Sequence, residues 1–511
     1  MDKVTARVKA GLLSSVVAIV VGFIAITSQS LWIDEANSAV KAMAPDWASF
    51  VAAMRSERGS DLQMPLYMLI LWAWEKLFGH SEFVLRAINI PLFALALALA
   101  ATFWRTADTS RIFFVIFACS SAFLWAYLDE ARPYILQFLG ATMCVIPMAS
   151  LAETNKPPQT SDITLFAAGV LLLCGSSLFG VVSAFWFCLA FLMLALQGQC
   201  MSVLLARKDL RIAIGLTLPL LLLLGMYYWW TLALGAKASS VGKTGLLNVA
   251  HTFYELVGMA GLGPGRAELR ASTDAIFPFI PILTVYACTL GLFIGGGLFT
   301  VHRWGKISHQ PKSWLIFWLI PAVVTLSTFA VGVIGEFRVV GRHLAPLLPL
   351  LLILLSITAG ILWRGQLGIA GRVLTGTTIL AMISSAVGYR ILDRHAKDDY
   401  RLAAALARQT ISDSGVVWWA ADRSAAQFYG LKTIVPDGVA SVEASEDDAF
   451  MANSRDAAYF AALPEPSLVI LSKVDVYDRG GSLRCWLEEN QYELVARMPA
   501  FSFYKKLIDK L

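Results

Sequence analysis

The sequence predicts an all-α polytopic membrane protein with about eleven transmembrane helices and a small α/β domain at its C-terminus. Three observations predict this fold. Only 15% of the 511 residues are charged, 57% are hydrophobic, and long apolar runs recur as far as residue 390. Soluble domains have roughly a quarter of their residues charged. The composition therefore excludes a soluble enzyme, a disordered regulator and a nucleic-acid-binding protein.

Charge divides the chain near residue 390. The last 121 residues hold 32 of the 77 charged residues and carry a net charge of −4, whereas the first 390 residues carry +9. The total of +5 therefore combines a basic membrane body with a slightly acidic soluble domain, and it does not indicate nucleic-acid binding. We expect a transmembrane body over 1–390 and an α/β domain over 391–511.

Eleven segments are apolar enough and long enough to cross a bilayer, which takes about 20 helical residues. In chain order they are 11–30, 81–104, 112–128, 135–151, 163–179, 181–206, 212–230, 276–301, 314–334, 344–363 and 373–390. Basic residues precede the first segment without a convincing cleavage site after it. We therefore interpret it as an uncleaved span and not as a signal peptide.

A further apolar segment, 64–79, is interpreted differently. As a helix its 16 residues reach only about 24 Å, short of the roughly 30 Å hydrocarbon core. Just before it, Trp47, Phe50, Val51 and Met54 follow the spacing of an amphipathic helix. The pattern predicts interfacial helices within one long outer loop, 31–81.

Lysine and arginine predict which loops face which side. With the N-terminus inside, the inner segments hold 14 of these residues in 54 positions and the outer segments hold 11 in 116. This satisfies the positive-inside rule. Loops 31–81 and 231–275 and the C-terminal domain are then expected on the outer side.

Acidic residues indicate where chemistry is possible. Twelve of the 18 in the membrane body fall in outer loops, first of all Asp34 and Glu35. Consecutive helical residues point about 100° apart, so at most one of the two is expected to act as a base. The other would orient it or bind hydroxyl groups. The alternative is helix capping and solvation, with Asp34 as the N-cap to the following turn.

A second cluster, Glu130, Arg132 and Tyr134, lies in the next outer loop. The guanidinium of Arg132 has the geometry to bind a phosphate. The alternative is an interfacial anchor, with Tyr134 in the aromatic belt.

A third cluster consists of basic residues in later outer loops. The positive-inside rule predicts few basic residues on that side, so attraction to lipid head groups explains them less well. Its members are Arg338, Arg342 and His343 in one loop and Lys243, Arg266 and Arg270 in another. Simple solvated charge remains the alternative for Lys243.

No metal site is predicted. Six of the seven cysteines lie in apolar spans, Cys485 has no partner in its domain, and no metal-ligand spacing occurs. Four acidic residues of the C-terminal region are interpreted as solvated loop residues and not as metal ligands. They are Asp447, Asp448, Asp475 and Asp478. No cofactor is implied with certainty, and a divalent metal ion remains open.

The last 121 residues have an α/β pattern. Two buried strands are expected at 416–419 and 468–471, helices at 424–429 and 482–490, and a closing hairpin at 492–498 with 501–505. Acceptor docking or scaffolding are the expected roles of this domain.

These motifs together resemble a family, the integral-membrane glycosyltransferases of the C superfamily. Specifically, they resemble the bacterial relatives of dolichyl-phosphate-mannose protein mannosyltransferases and the lipid A aminoarabinose transferase. The matching segments are 32–36, 65–79, 81–86, 130–134 and 341–349. They follow the family's order through the membrane body.

The resemblance implies roles for several residues. It nominates Asp34 as general base with Glu35 beside it, and it assigns Glu130, Arg132 and Tyr134 to the second-loop motif. Arg342 matches a basic position near a later span. The family often has a histidine or lysine with two prolines before the Leu-Tyr pair, where this chain reads Asp61-Leu62-Gln63-Met64-Pro65. That departure removes a cationic contact to the donor and leaves the sugar open.

The implied function is transfer of a sugar from a polyprenyl-phosphate-linked donor to an acceptor hydroxyl, by inverting displacement at the outer face of a bacterial inner membrane. The expected partners are this donor, membrane lipids, and a lipid, glycan or protein acceptor. Two alternatives remain: a ligase or polymerase that uses a diphosphate-linked oligosaccharide, and a transporter of a lipid-linked saccharide. A transporter is disfavoured because repeated halves, broken helices and polar groups near mid-membrane are not evident in the sequence.

Overall fold

The chain packs into two compact units. The computed structural model describes residues 3–56, 59–154, 156–197, 201–234, 243–304, 311–365, 367–435, 448–453 and 457–506. The membrane unit comprises Met1–Thr27, Trp47–Gly79 and Phe83–His395. The C-terminal unit comprises Ser28–Asp46, His80–Glu82 and Ala396–Leu511, and it therefore includes the segment with Asp34 and Glu35.

Helices dominate the chain up to residue 391. In order they are α1 (Lys3–Ala25), α2 (Ile33–Ala42), α3 (Trp47–Ser56), α4 (Pro65–Phe78), α5 (Glu82–Ala87), α6 (Asn89–Phe103), α7 (Asp108–Cys119), α8 (Ala122–Leu128), α9 (Tyr134–Thr154), α10 (Thr160–Ser176), α11 (Leu178–Leu196), α12 (Met201–Ala206), α13 (Lys208–Ala233), α14 (Leu246–Leu256), α15 (Arg266–Ala271), α16 (Ile280–Trp304), α17 (Pro311–Ile334), α18 (Leu348–Arg364) and α19 (Gly368–Ile391). Short 3-10 turns lie at Ser60–Gln63, Thr273–Phe279, Gly341–Leu347 and Asp393–His395.

Nine helical stretches in the described residues are long and apolar enough to cross a membrane, or ten if a bent pair counts as one span. The bent pair is α7 with α8, which meet at 56° where span 112–128 is predicted. Ser121 begins α8 by accepting a hydrogen bond from the Leu124 amide, which explains the break. The predicted span 163–179 corresponds to α10, an apolar helix whose 17 residues are at the lower end of the length that crosses a bilayer. The multi-pass membrane fold is confirmed.

The amphipathic segment and the apolar segment of the first long loop are both helical as expected. They are α3 and α4, and with 10 and 14 residues neither is long enough to count among the spanning stretches.

Helix α9 forms the centre of the membrane unit, and its hydrophobic window is completely buried. It packs closely on α10 at two facing glycines. A Cβ atom added at Gly169 would lie 2.7 Å from the carbonyl oxygen of Gly140, so no other residue fits there without displacing backbone. Small residues are what allow membrane helices to approach this closely.

The C-terminal unit contains a six-stranded sheet with strand order β2-β3-β1-β4-β6-β5. Strands β1 to β4 pair in parallel, whereas β6 is antiparallel to both β4 and β5. Its elements are α20 (Tyr400–Ser412), β1 (Val417–Ala420), α21 (Arg423–Phe428), β2 (Thr433–Ile434), β3 (Ala449–Met451), α22 (Ala457–Ala462), β4 (Leu468–Ser472), α23 (Val474–Tyr477), α24 (Ser482–Glu489), β5 (Tyr492–Met498) and β6 (Phe501–Lys506).

The predicted α/β domain is confirmed. Strands β1 and β4 are buried along their whole length, as their continuous apolar sequences indicate for central parallel strands. The expected hairpin is β5 with β6. Strands β2 and β3 were not expected, because two or three residues are too few to show a periodic pattern.

Candidate functional site

Asp34 lies in the first turn of α2. This helix begins at Ile33, and Trp32 occupies the N-cap with extended backbone angles. Asp34 is therefore not the N-cap residue of this helix. Its side chain is half-buried, and the positive end of the helix dipole favours a carboxylate at this position.

Glu35, the next residue, is completely buried. Its Oε2 atom accepts a hydrogen bond from Lys397 Nζ at 3.0 Å and a longer one from the Trp32 amide at 3.4 Å. The second bond closes the first turn of the helix, as a glutamate at this position commonly does. A buried carboxylate requires such a counter-charge. Sequence reasoning missed Lys397, because nothing in its local pattern distinguishes it from a solvated lysine.

Helix α21 meets α2 at Asn37. Ser424 Oγ donates a hydrogen bond to Asn37 Oδ1 at 2.8 Å, and Asp422 caps α21 by accepting the Ala425 amide. Burial raises the pKa of Asp422, and the nearby negative charge of Asp34 acts in the same direction. Asp422 is a second acidic residue near Asp34 that the sequence did not indicate.

In the membrane unit, Arg132 and Asp61 form a buried ion pair. The Nη1 atom of Arg132 lies 2.7 Å from Asp61 Oδ1, and the two side chains are only 4% and 3% exposed. Arg132 Nη2 also donates to Ser60 Oγ at 3.2 Å. Arg132, the candidate for phosphate binding, is thus in contact with Asp61, where the chain departs from the family pattern.

Arg266 joins two further carboxylates of the same unit. Its Nη1 atom lies 3.2 Å from Glu130 Oε1, and its Nη2 atom lies 3.4 Å from Glu255 Oε1. Glu255 Oε2 in turn accepts the amide of Gly341, next to Arg342. Glu255 was not singled out from the sequence, although it lies near the end of an amphipathic helix, α14.

The remaining candidates fall near this cluster or on the surface. The Tyr134 ring centroid lies 4.6 Å from that of Tyr127, whose hydroxyl is 3.4 Å from Arg266 Nη2. The His343 ring stacks on Phe179 and lies within electrostatic reach of Arg132, Arg338 and Arg342. Arg338 and Arg270 are exposed.

The structure offers no obvious metal centre in the part of the chain that it describes. Among these residues no three histidine, cysteine, aspartate or glutamate side chains are grouped so that they could hold an ion. Asp447, one of the acids noted in the C-terminal domain, lies outside the described residues.

The architecture identifies the class of fold. A polytopic helical body, carboxylates and arginines at helix ends, and a small C-terminal sheet domain define a multi-pass membrane protein with an appended α/β domain.

Comparison with solved structures makes the likeness specific. The chain is similar to the crystal structure of ArnT from Cupriavidus metallidurans in the apo state, with a TM-score of 0.53 and 12% identity, over 96% of this chain and 97% of that one. It is also similar to ArnT from the same organism bound to undecaprenyl phosphate, with a TM-score of 0.50 and 10% identity, over 98% of each chain. No family model matches the sequence, and no curated protein is significantly similar to it. At these identities the likeness shows the fold.

Proposed function

We propose that the protein is a glycosyltransferase that moves a sugar from a polyprenyl-phosphate-linked donor to an acceptor hydroxyl, with inversion at the anomeric carbon. The observation that carries this proposal is Asp34, a half-buried carboxylate in the first turn of a helix whose next residue is locked by a buried ion pair. Such a group is held in place and still has part of its surface available to a proton donor.

The reaction assigns one role to each type of side chain. Asp34 takes the proton of the acceptor hydroxyl while the acceptor oxygen bonds to the anomeric carbon. The bond from that carbon to the phosphate oxygen breaks at the same time, and polyprenyl phosphate leaves with the electron pair. Cationic side chains stabilise the departing phosphate, and Arg132, Arg266 and Arg342 are the candidates.

A polyprenyl-phosphate donor is supported by two observations. One similar structure, ArnT from Cupriavidus metallidurans, contains undecaprenyl phosphate. A lipid-linked donor also suits an enzyme whose helices cross the membrane, because the donor's chain lies in the same lipid phase. We further propose an inner-membrane location with a cytoplasmic N-terminus and with Asp34 on the outer side, in keeping with the distribution of lysine and arginine.

The direct test supplies purified protein in lipid nanodiscs with undecaprenyl-phosphate-linked hexoses or pentoses and a cell-envelope acceptor extract. We expect mass spectrometry to show a glycosylated acceptor with one of these monophosphate donors. Product only from a diphosphate-linked oligosaccharide would identify a ligase or polymerase instead. Movement of an intact lipid-linked saccharide across proteoliposomes, without transfer, would identify a transporter.

The same assay tests Asp34. We expect Asp34→Asn to insert and fold normally but to transfer sugar about 10²–10⁴-fold more slowly, the usual contribution of a general base. Glu336→Gln, which neutralises an exposed carboxylate, is the matched control and should turn over normally. Turnover of Asp34→Asn at the wild-type rate would overturn the assignment.

A further inference from the structure

Helix α2, which carries Asp34, cannot fix its own position. It has only ten residues, and isolated helices shorter than about 12–15 residues are marginal in water. Its place is therefore set by what it packs against. In the structure this is the C-terminal domain, from which three different elements reach the first two turns of α2.

The contacts alternate around Asp34 along the helix. Ile33, on one side of it in sequence, packs against the hydrophobic core of the C-terminal domain. Glu35, on the other side, is bound by Lys397. One turn after Ile33, Asn37 is held by Ser424 at the start of α21. These contacts of its neighbours thus hold the stretch of helix that carries Asp34.

Lys397 acts at the point where the helix begins. The Glu35 oxygen that binds its ammonium group is the same oxygen that accepts the Trp32 amide. Moving this carboxylate therefore disturbs the closure of the first turn, in which Asp34 lies. Lys397 is itself held, because its backbone amide donates to Gln29 Oε1 at 2.9 Å and its side chain is only 14% exposed.

A second lysine of the domain reaches the same turn. The ammonium group of Lys473 lies 5.8 Å from the centroid of the Trp32 ring, over its face, and also pairs with Asp398, the residue after Lys397. Cation–π contacts of this kind are favourable, most of all with tryptophan. The turn from Trp32 to Glu35 is thus bracketed by two lysines that the C-terminal domain supplies.

We propose that the C-terminal domain orients the proposed base Asp34 through α2, and that Lys397 is the main positioning residue, acting through its buried ion pair with Glu35. The domain is then a part of the catalytic machinery and not only a site for acceptor docking. This inference rests on the proposed function, since it assigns the orientation of Asp34 a role in sugar transfer.

The test removes the ion pair without leaving a buried charge. Lys397→Met alone strands the Glu35 carboxylate and could unfold the unit, so the decisive variant is the double change Glu35→Gln with Lys397→Met. We expect it to fold, to keep the donor KM within about twofold, and to lower kcat about 30- to 100-fold, as expected for a misplacement of about 1 Å. A purely structural role would lower the amount of active protein but not the kcat per folded molecule.

Two further variants sharpen this result. Lys397→Arg keeps a positive charge opposite Glu35 and should restore kcat to within about tenfold of wild type, because the pairing is retained although its geometry changes. Lys506→Met breaks an exposed ion pair with Glu465 in the same unit and should leave kcat unchanged. A double variant with wild-type kcat would overturn the proposal, as would equal losses in the double variant and in Lys506→Met.

Hydrogen exchange separates this proposal from the proposed function, because it needs no substrate. We expect the amides of residues 36–39, which donate the first hydrogen bonds within α2, to exchange faster in the double variant than in wild type and Lys506→Met. Unchanged exchange would overturn the positioning role even if sugar transfer is confirmed. Absence of transfer by wild-type protein with every donor would overturn the proposed function, while faster exchange would still show that Lys397 holds α2.

Discussion

Arg132 and Asp61 are 71 residues apart in the chain, and in the structure their side chains form an ion pair of 2.7 Å that is almost completely buried. Charges are removed from water at high cost unless each has a partner. The pair therefore couples the first long loop of the membrane unit to the turn that precedes α9.

Neutralising Asp61 should destabilise the protein. Asp61→Asn removes the carboxylate opposite a buried guanidinium, and we expect a loss of about 3–5 kcal/mol in the free energy of unfolding. Denaturant unfolding in detergent micelles measures it. Glu336→Gln is the control, because Glu336 and Lys243 form an exposed pair at 4.0 Å that should contribute little. Equal effects of the two substitutions would contradict the buried pair.

Arg266 should matter more for activity than its exposure suggests. Its side chain is 44% exposed, yet it lies between the buried carboxylates of Glu130 and Glu255. Arg266→Ala leaves two like charges without their shared cation. It also disturbs Gly341, whose amide donates to Glu255. We therefore expect kcat/KM for the donor to fall roughly 10- to 100-fold. Lys243→Ala, a loss of exposed charge in the same loop region, should have no effect. Arg266→Lys should recover only part of the activity, because a point charge does not span both partners.

Stability should depend on pH through His395. Burial, assisted by the charge of Arg394, lowers the pKa of His395 to about 4, compared with about 6.5 in an unfolded chain. Between these values the unfolded chain binds more protons, so the free energy of unfolding rises with pH. The contribution of neutral His395 to the free energy of unfolding is fully present above about pH 6.5 and is lost as the pH falls to about 4. Allowing for partial exposure, it amounts to roughly 1–3 kcal/mol.

The measurement compares wild type with His395→Phe, which keeps a ring to stack on Tyr389. Denaturant unfolding at pH 5 and pH 7.5 should show a larger loss of stability on acidification for wild type than for the variant. Parallel losses would show that His395 titrates normally in the folded protein.

Replacing glycine with alanine should change the free energy of unfolding in opposite directions at two positions. In Gly169→Ala the new Cβ would lie 2.7 Å from the Gly140 carbonyl oxygen and 2.8 Å from Cys144 Sγ, and we expect a loss of about 1–3 kcal/mol. In Gly225→Ala the new Cβ meets nothing within 4 Å, and we expect a gain of about 0.4–1 kcal/mol from reduced chain entropy. Thermal unfolding of the two variants in one detergent checks both signs. A stabilised Gly169→Ala protein would contradict close packing of α9 on α10.

The secondary structure was predictable because its signals are local. Apolar runs located the spans, and α21, α24, β1, β4 and the β5–β6 hairpin followed from periodicity and turn residues, whereas α20, α22 and α23 were not predicted. The bend between α7 and α8 was not predicted, because it depends on Ser121 capping a new helix within a run that is apolar throughout. The short length of α10 was likewise hidden, since residues 177–179 are as compatible with a continuing helix as with a break.

The candidate site was predictable as a set of residue types but not as a set of contacts. Asp34, Glu35, Glu130 and Arg132 were found because charges are rare at the ends of apolar helices. Glu255 and Asp422 were missed because an acid in a polar loop or domain carries no such contrast.

The sequence by itself determined the membrane fold, the helical body, the α/β domain and the small set of charged candidate residues at the ends of the helices. All of these follow from hydrophobicity and periodicity within windows of about 20 residues. Only the tertiary structure decided which charges pair and which unit holds α2. Glu35 and Lys397 are 362 residues apart, and ion pairing depends on distance in space and on exclusion of water, neither of which is encoded in local spacing.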